Sequence, residues 1–404
     1  MTTQSASNLA MDPIPASAKF FLSLLERISV GHLIMVLPSG ERRVFGRPSS
    51  SPGAILKVND WRGCSKILKG GDIGFADAYQ AGWLSSPDLT ALLRFALRNE
   101  AVLPEAMWGK WVSRLWYSVL HRLRVNSRSG SKRNIHAHYD IGNAFYGRWL
   151  DLGMSYSSAL FSGDSAQSLE QAQTDKYEHI LKSLALRPGM RVLEIGCGWG
   201  GFALHAARQG IHVHGVTISQ AQYKVAQQRV LDAGLKGVAE VALCDYRDLD
   251  GQYDAVVSIE MFEAVGEKFW PEFGRILHDR LKPGAQALLQ SITIDEARFE
   301  QYRRSSDFIR QSIFPGGMLP SPERLLKVGR TAGLEGRVTL RFGMDYAETL
   351  RRWRQTFEKN LGEIRRQGFD EAFIRAWRLY LAYCEAGFEE RRTDVIQFVF
   401  ARPD

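Results

Sequence analysis

Between residues 190 and 260 the chain alternates short apolar runs with amphipathic stretches of helical length. The runs at 192–195, His212–Thr217, 238–243 and Tyr253–Ile259 each end in polar or glycine-rich turns. Short apolar runs bounded by turn formers suit strands buried on both faces, and the stretches between them suit crossover helices, the first beginning near Phe202. Upstream the pattern shortens. It predicts a helix over 19–28, short strands within 33–45 and at Ala54–Val58, and a helix over 88–98. The expected fold is α/β, a doubly wound sheet preceded by a smaller N-terminal α+β domain. Residues 1–17 are polar and poor in core formers, which predicts a disordered tail; 18–124 form the small domain, and 135–404 the sheet domain. Between the two domains, 125–134 read as a basic linker of turn formers and cations.

The densest turn follows the first of these runs, in VLEIGCGWGG at 192–201. Gly196, Gly198 and Gly200 permit backbone angles and a ligand approach that a Cβ atom obstructs. Glu194 ends the strand, where a carboxylate can meet a cationic ligand, and this E-x-G-x-G spacing is closer to S-adenosylmethionine loops than to G-x-G-x-x-G. Glycine-rich turns also serve packing, so the neighbouring strand ends decide. The next strand delivers Thr217, Ser219 and Gln222, whose side chains suit a ribose; no carboxylate follows Gly215, which weakens a nicotinamide dinucleotide reading. The third delivers Asp245, an acceptor for an adenine amino group, and Tyr246, an aromatic face. The fourth delivers Glu260, Met261, Phe262 and Glu263. Four strand ends thus converge on one crevice, as ligand sites in open α/β sheets require.

Composition narrows the setting. At 404 residues, 45% hydrophobic and 24% charged, the chain can bury a large core in two domains. No run approaches the roughly 20 apolar residues of a membrane span, and the N-terminus lacks a basic-then-apolar signal, so a cytoplasmic protein is expected. Cys64, Cys197, Cys244 and Cys384 are scattered without a C-x-x-C pair, so neither a disulfide framework nor a metal site is indicated. The net charge of +8 favours an anionic partner. Much of it lies in Lys110, Arg114, Arg122, Arg124, Arg128, Lys132 and Arg133, interleaved with Trp108, Trp111, Trp116 and Tyr117. That stretch reads either as a solvated helix face with a linker or as a surface for anionic lipid headgroups, with the protein peripheral on the inner face of the membrane. Nothing in it calls for a nucleic acid.

The motifs also carry a resemblance. HYDIGN at 138–143, MSYSSALF at 154–161, VLEIGCGWGG, GVTISQAQ, CDYRDL, MFEAVG at 261–266, IFPGGMLPS at 313–321 and YCEAGF at 383–388 occur in the order found in cyclopropane-fatty-acyl-phospholipid synthases and the related mycolic acid methyltransferases. The chain resembles that family over nearly its whole length; GDIGFADAYQAGWLSSPDLTALL is similar to the small domain of the bacterial phospholipid enzymes, which the mycolic acid branch lacks. The resemblance implies a Rossmann-like class I methyltransferase, a homodimer, that moves a methyl group from S-adenosylmethionine to the cis double bond of an unsaturated acyl chain in a membrane phospholipid. It implies cofactor contacts at Tyr156, Ser157, Gly196, Gly198, Thr217, Gln222 and Tyr246. It also implies a bound bicarbonate that removes the proton and closes the ring, held at Glu263, Ile292, Tyr346 and Cys384.

Two positions depart from the family. Its Cys after Tyr156 and Ser157 is Ser158 here, and its His falls on Gln290. Both replacements still donate a hydrogen bond, and neither titrates near neutral pH as His does. A cyclopropane is therefore the expected product, with a methyl-branched or methylene-bearing chain as the alternative. Two rival readings stay open at this point: a soluble small-molecule methyltransferase, and a lipid-binding protein that kept the fold without the activity.

Overall fold

The computed structural model describes residues 13–48, 53–101, 141–164 and 166–404. The basic, tryptophan-rich stretch, the 125–134 linker and the first residues of HYDIGN lie outside the described residues. The chain divides into two compact units, one of Met1–Ser113 with Glu371–Leu379 and the other of Arg114–Asp370 with Tyr380–Asp404. The helix Glu371–Glu389 therefore contributes its first half to one unit and its second half to the other.

In the first unit, four strands, β1 (His32–Val36), β2 (Arg42–Gly46), β3 (Ala54–Val58) and β4 (Leu84–Ser85), form a sheet in the order β2-β1-β3-β4. The β1–β3 pair is parallel and the other two are antiparallel. Phe21, Leu22, Leu33, Met35, Leu56, Ile67 and Leu92 fill its core. Its first helix runs Ala16–Leu25, beginning within the segment expected to be a tail and ending before residue 28. Pro15 sets that start: its backbone is extended, and its carbonyl accepts from the Lys19 N–H at 2.9 Å. The helix predicted over 88–98 is Leu89–Arg98, capped by the Asp88 carboxylate on the Ala91 N–H at 2.9 Å. The long helix Arg62–Gln80 has no counterpart in the sequence reading, because Gly70, Gly71 and Gly74 break its pattern. Gly71 holds a left-handed φ of 61° at a kink, and a Cβ at Gly74 would lie 2.0 Å from the Lys66 carbonyl oxygen.

The second unit holds a seven-stranded sheet in the order β10-β11-β9-β8-β5-β6-β7. Its strands are β5 (Arg191–Ile195), β6 (His212–Thr217), β7 (Ala239–Leu243), β8 (Tyr253–Ile259), β9 (Leu281–Ile294), β10 (Glu335–Arg341) and β11 (Thr393–Ala401). The pairs from β7 through β9 are parallel, as the apolar runs predicted, whereas β9–β11 and β10–β11 are antiparallel. Both faces are covered. Leu193, Ile195, Val256 and Leu289 join one core with Phe262 and Phe273, while Val192, Val257 and Leu288 join another with Ile180 and Phe202. The strand order reverses at the β5–β8 neighbours, and the crevice beyond their C-terminal ends is where such folds bind ligands.

Candidate functional site

The loop after β5 behaves as its glycines require. Gly196, Gly198 and Gly200 hold φ values of 84°, 53° and 82°, all left-handed. A Cβ on Gly196 would come within 2.8 Å of the Met261 side chain, so that glycine serves packing. Among the described residues, a Cβ on Gly198 would meet no atom within 4 Å, which leaves space there for a ligand. Gly200 caps the helix Gly201–Arg208. Glu194 is 3% exposed, its Oε2 has no hydrogen-bond partner among the described residues, and burial pushes its carboxyl up to about 8. An orphaned carboxylate oxygen beside an open glycine loop fits a cationic cofactor.

The other expected cofactor residues sit at neighbouring strand ends. Thr217, Ser219 and Gln222 are buried and form one network: the Thr217 hydroxyl donates to Gln222 Oε1 at 3.0 Å and accepts from the Ser219 N–H at 3.1 Å. Asp245 is already engaged, since Arg247 donates through Nε at 2.8 Å and Nη2 at 2.6 Å. Tyr246 lies edge-on to Phe273 at 5.5 Å.

The MSYSSALF segment crosses to this edge, held by side chains from several elements. Asp345 Oδ2 accepts from the Phe161 N–H at 2.7 Å, and the Thr349 hydroxyl accepts from the Ala159 N–H at 3.1 Å. Lys176, fully buried on the helix Leu169–Ser183, donates to the Ser157 hydroxyl at 2.7 Å and to Gln173 Oε1 at 2.6 Å. Burial lowers this ammonium to about 8, against the pull of Glu260, Asp151 and Glu194. Tyr156 enters an aromatic group with ring centroids 5.4 Å from Tyr146, 5.6 Å from Trp149 and 5.5 Å from Trp353. Its hydroxyl meets that of Tyr380 at 2.8 Å.

Beyond β8 two carboxylates draw in most of the groups expected to cradle an anion. Glu260 Oε1 accepts from the Ser158 N–H at 2.9 Å and from Gln290 Nε2 at 2.8 Å, and its Oε2 accepts from the Tyr346 hydroxyl at 2.8 Å. Glu263 Oε1 accepts from the Ile292 N–H at 2.5 Å and the Ser291 hydroxyl at 3.1 Å, and its buried Oε2 has no hydrogen-bond partner among the described residues. Burial raises both carboxyls. For Glu263 the adjacent Glu260 adds to that effect, and its carboxyl reaches about 8. Ser158 takes part through its backbone; its hydroxyl turns to the Ala159 carbonyl at 3.0 Å. Cys384 lies within electrostatic reach of Tyr346, and burial pushes its thiol up. Of the residues named from the sequence, Ser158, Gln290 and Tyr346 thus meet the Glu260 carboxylate and Ile292 meets Glu263, while Cys384 interacts electrostatically with Tyr346.

Three contributors escape the sequence patterns. Lys176 sits in a polar helix where nothing marks it as buried. Gln397 on β11 donates to Gln290 Oε1 at 3.0 Å, a pairing that only the sheet register creates. Glu260 is delivered to the correct edge by its strand, but its role depends on a φ of 51° that sequence gives no reason to expect in a glutamate.

Known proteins resemble this chain over most of its length. The mycolic acid cyclopropane synthetase family matches residues 126–398. The tuberculostearic acid methyltransferase UfaA1 of Mycobacterium tuberculosis is 35% identical over 96% of this chain and 93% of its own. The cyclopropane-fatty-acyl-phospholipid synthase of Escherichia coli K12 is 34% identical over 88% of this chain and 89% of its own. The crystal structure of the mycolic acid cyclopropane synthase CmaA1 complexed with SAH and CTAB, 30% identical, superposes with a TM-score of 0.62 over 67% of this chain and 98% of that one. The protein belongs to the mycolic acid cyclopropane synthetase family.

Proposed function

We propose that this S-adenosylmethionine-dependent methyltransferase of unsaturated acyl chains acts on a cis double bond within a membrane phospholipid, and that its product is a cyclopropane. The observation that carries the reading is the meeting, at one sheet edge, of an open glycine loop, an aromatic group around Tyr156 and two buried carboxylates. S-adenosylmethionine supplies an electrophilic methyl carbon when bound. Gly198 leaves room for it, Glu194 offers a carboxylate to its positive charge, and Thr217, Ser219 and Gln222 supply hydroxyl and amide groups for a ribose. An alkene is a neutral nucleophile that needs no base, but the cation left on the chain needs dry, electron-rich surroundings and a nearby proton acceptor. Tyr146, Trp149 and Trp353 are buried and provide aromatic faces, and the site's carboxylates provide the acceptor.

Support for a phospholipid comes from coverage. The bacterial phospholipid synthase aligns over 88% of the chain, so the likeness extends into the N-terminal unit, whereas the CmaA1 structure covers 67%. Docking on the inner face of the cytoplasmic membrane is peripheral in this reading. Among the described residues no helix is long and apolar enough to cross a membrane.

A second reading, a methylene or methyl-branched chain, is favoured by the tuberculostearic acid methyltransferase match and by the changes at Ser158 and Gln290. Deuterated methyl donor separates the two. A cyclopropane and an exomethylene each retain two donor deuterons and differ by NMR, while a methyl branch retains three. Product carrying only three deuterons would sink the cyclopropane assignment.

A further inference from the structure

We propose that the Glu260 carboxylate is itself the proton acceptor of this reaction, a base built into the chain where a dissociable anion would otherwise be held. The proposal rests on the methyl-transfer reading above. Three donors converge on this one side chain: the Ser158 N–H and Gln290 Nε2 on Oε1, and the Tyr346 hydroxyl on Oε2. The remaining expected anion contact with an N–H, that of Ile292, is taken by Glu263. A separate bicarbonate therefore does not fit the residues as they stand, because Gln290, Tyr346 and the Ile292 N–H already hold carboxylates of the protein and the Ser158 hydroxyl holds the Ala159 carbonyl.

The donors are also fixed in direction. His179 Nδ1 meets Gln397 Oε1 at 2.8 Å, Gln397 Nε2 donates to Gln290 Oε1 at 3.0 Å, and this leaves the Gln290 NH2 to face Glu260. A His at position 290 would present ring nitrogens of changing charge; a Gln with its oxygen occupied is a permanent neutral donor, suited to a permanent carboxylate. The backbone gives a second, independent sign. Glu260 holds φ at 51°, the left-handed region that side chains rarely adopt, while its N–H donates to the Gln290 carbonyl at 2.8 Å. Strain retained at a glutamate, in a conformation glycine adopts freely, points to use of the side chain.

The step balances without an added reagent. The alkene π pair forms the bond to the transferred methyl carbon as the carbon–sulfur pair stays on sulfur, leaving the adjacent chain carbon positive. Glu260 takes a proton from the new methyl group, and the freed C–H pair closes the third side of the ring. Where a hydride moves from the methyl-bearing carbon to the cationic carbon first, the same proton loss gives an exomethylene group on the open chain. Neither route needs an oxidant or reductant, and the protonated Glu260 returns its proton to water.

The test uses full-length protein with phospholipid vesicles and methyl-labelled S-adenosylmethionine, in carbon-dioxide-depleted buffer with and without added bicarbonate. The wild type should incorporate label equally in both. Glu260→Gln keeps the shape without the base and should lose activity by about a hundredfold or more, with no recovery in bicarbonate. Glu260→Gly relieves the backbone and opens the donor set to an external anion; it should be as inactive until bicarbonate restores at least about a tenth of the wild-type rate. Calorimetric binding of S-adenosylmethionine by both variants checks that they are folded. Wild type that works only with bicarbonate, or Glu260→Gln that keeps most of its activity, overturns the proposal and leaves the methyl-transfer reading standing. Wild type that labels no acyl chain under either condition overturns that reading, and the proposal with it.

Discussion

Tyr346→Phe isolates one hydrogen bond at the centre of the site. The phenol donates to Glu260 Oε2 at 2.8 Å, while its ring stacks on Phe388 at 4.6 Å and meets Trp353 edge-on at 6.1 Å. Phenylalanine keeps both ring contacts and leaves a gap the size of one oxygen, so the fold should survive. A hydrogen bond to a charged partner contributes about 1.5–3 kcal/mol, which corresponds to roughly 10- to 150-fold in rate if the bond steadies the proton acceptor as the cation forms. The phenol also lowers the Glu260 carboxyl against the larger effect of burial, so removing it should raise that group further. A base works when ionised; the acidic limb of kcat/KM against pH should therefore move to higher pH. Because Glu260 and Glu263 interact, that limb reports the pair. The assay is label incorporation across a pH series, with S-adenosylmethionine affinity measured in parallel. A rate within twofold of the wild type and an unmoved limb would refute the reasoning, as would a loss confined to cofactor affinity.

Gly198→Ala should weaken S-adenosylmethionine binding by at least about tenfold, since its Cβ enters space free of protein atoms, with only the modest destabilisation of a left-handed alanine, about 1–2 kcal/mol; unchanged affinity by calorimetry would remove the loop from the site. Glu194 stays largely protonated in the free protein near neutral pH, so cofactor binding should release a proton, read as a dependence of binding enthalpy on buffer ionisation that Glu194→Gln abolishes. Glu194 and Glu263 both titrate near 8 when folded, above their unfolded values, so the stability they contribute is present in acid and lost as pH rises toward 8. The free protein should melt progressively lower over that range, and Glu194→Gln should flatten the trend. Neutralising Arg122, Arg124, Arg128, Lys132 and Arg133 together should reduce sedimentation with anionic vesicles and its salt dependence; equal binding to neutral and anionic vesicles at every salt concentration would count against membrane docking through that segment.

The parallel strands of the sheet were legible because a strand buried on both faces has to be apolar at nearly every position, as Tyr253–Ile259 is. Strand ends in turn carry the ligand groups, so Glu194, Thr217 and Asp245 could be assigned to one edge before any contact was known. The antiparallel β10 and β11 are less explicit: Glu335–Arg341 is mixed in character and buries no residue fully. Arg62–Gln80 was hidden by glycines that permit close helix approach and a kink, an effect local propensity counts only as breakage. In the site, Gln290 and Tyr346 were found through motif order, but their common partner was not. Hydrogen bonds among residues 158, 260, 290 and 346 depend on which strands are neighbours, and a residue pattern alone does not carry that information.

The free site holds more acid than its charge balance tolerates. Asp151, Glu194, Glu260 and Glu263 are gathered near one buried cation, Lys176, which interacts with the first three. Burial forces a division: Glu194 and Glu263 are pushed up to about 8, while Glu260, with three donors on its oxygens, is the carboxyl best equipped to stay ionised. That surplus destabilises an empty pocket and suits one that receives a sulfonium ion and then a carbocation. Lys176 cannot neutralise the whole set, and its own lowered pKa reflects how little water it keeps. Replacing Glu194 or Glu263, each with one buried oxygen unpartnered among the described residues, by its amide should therefore stabilise the free protein while weakening its response to the cationic cofactor, an inverse relation expected when buried charge is kept for function rather than for the fold.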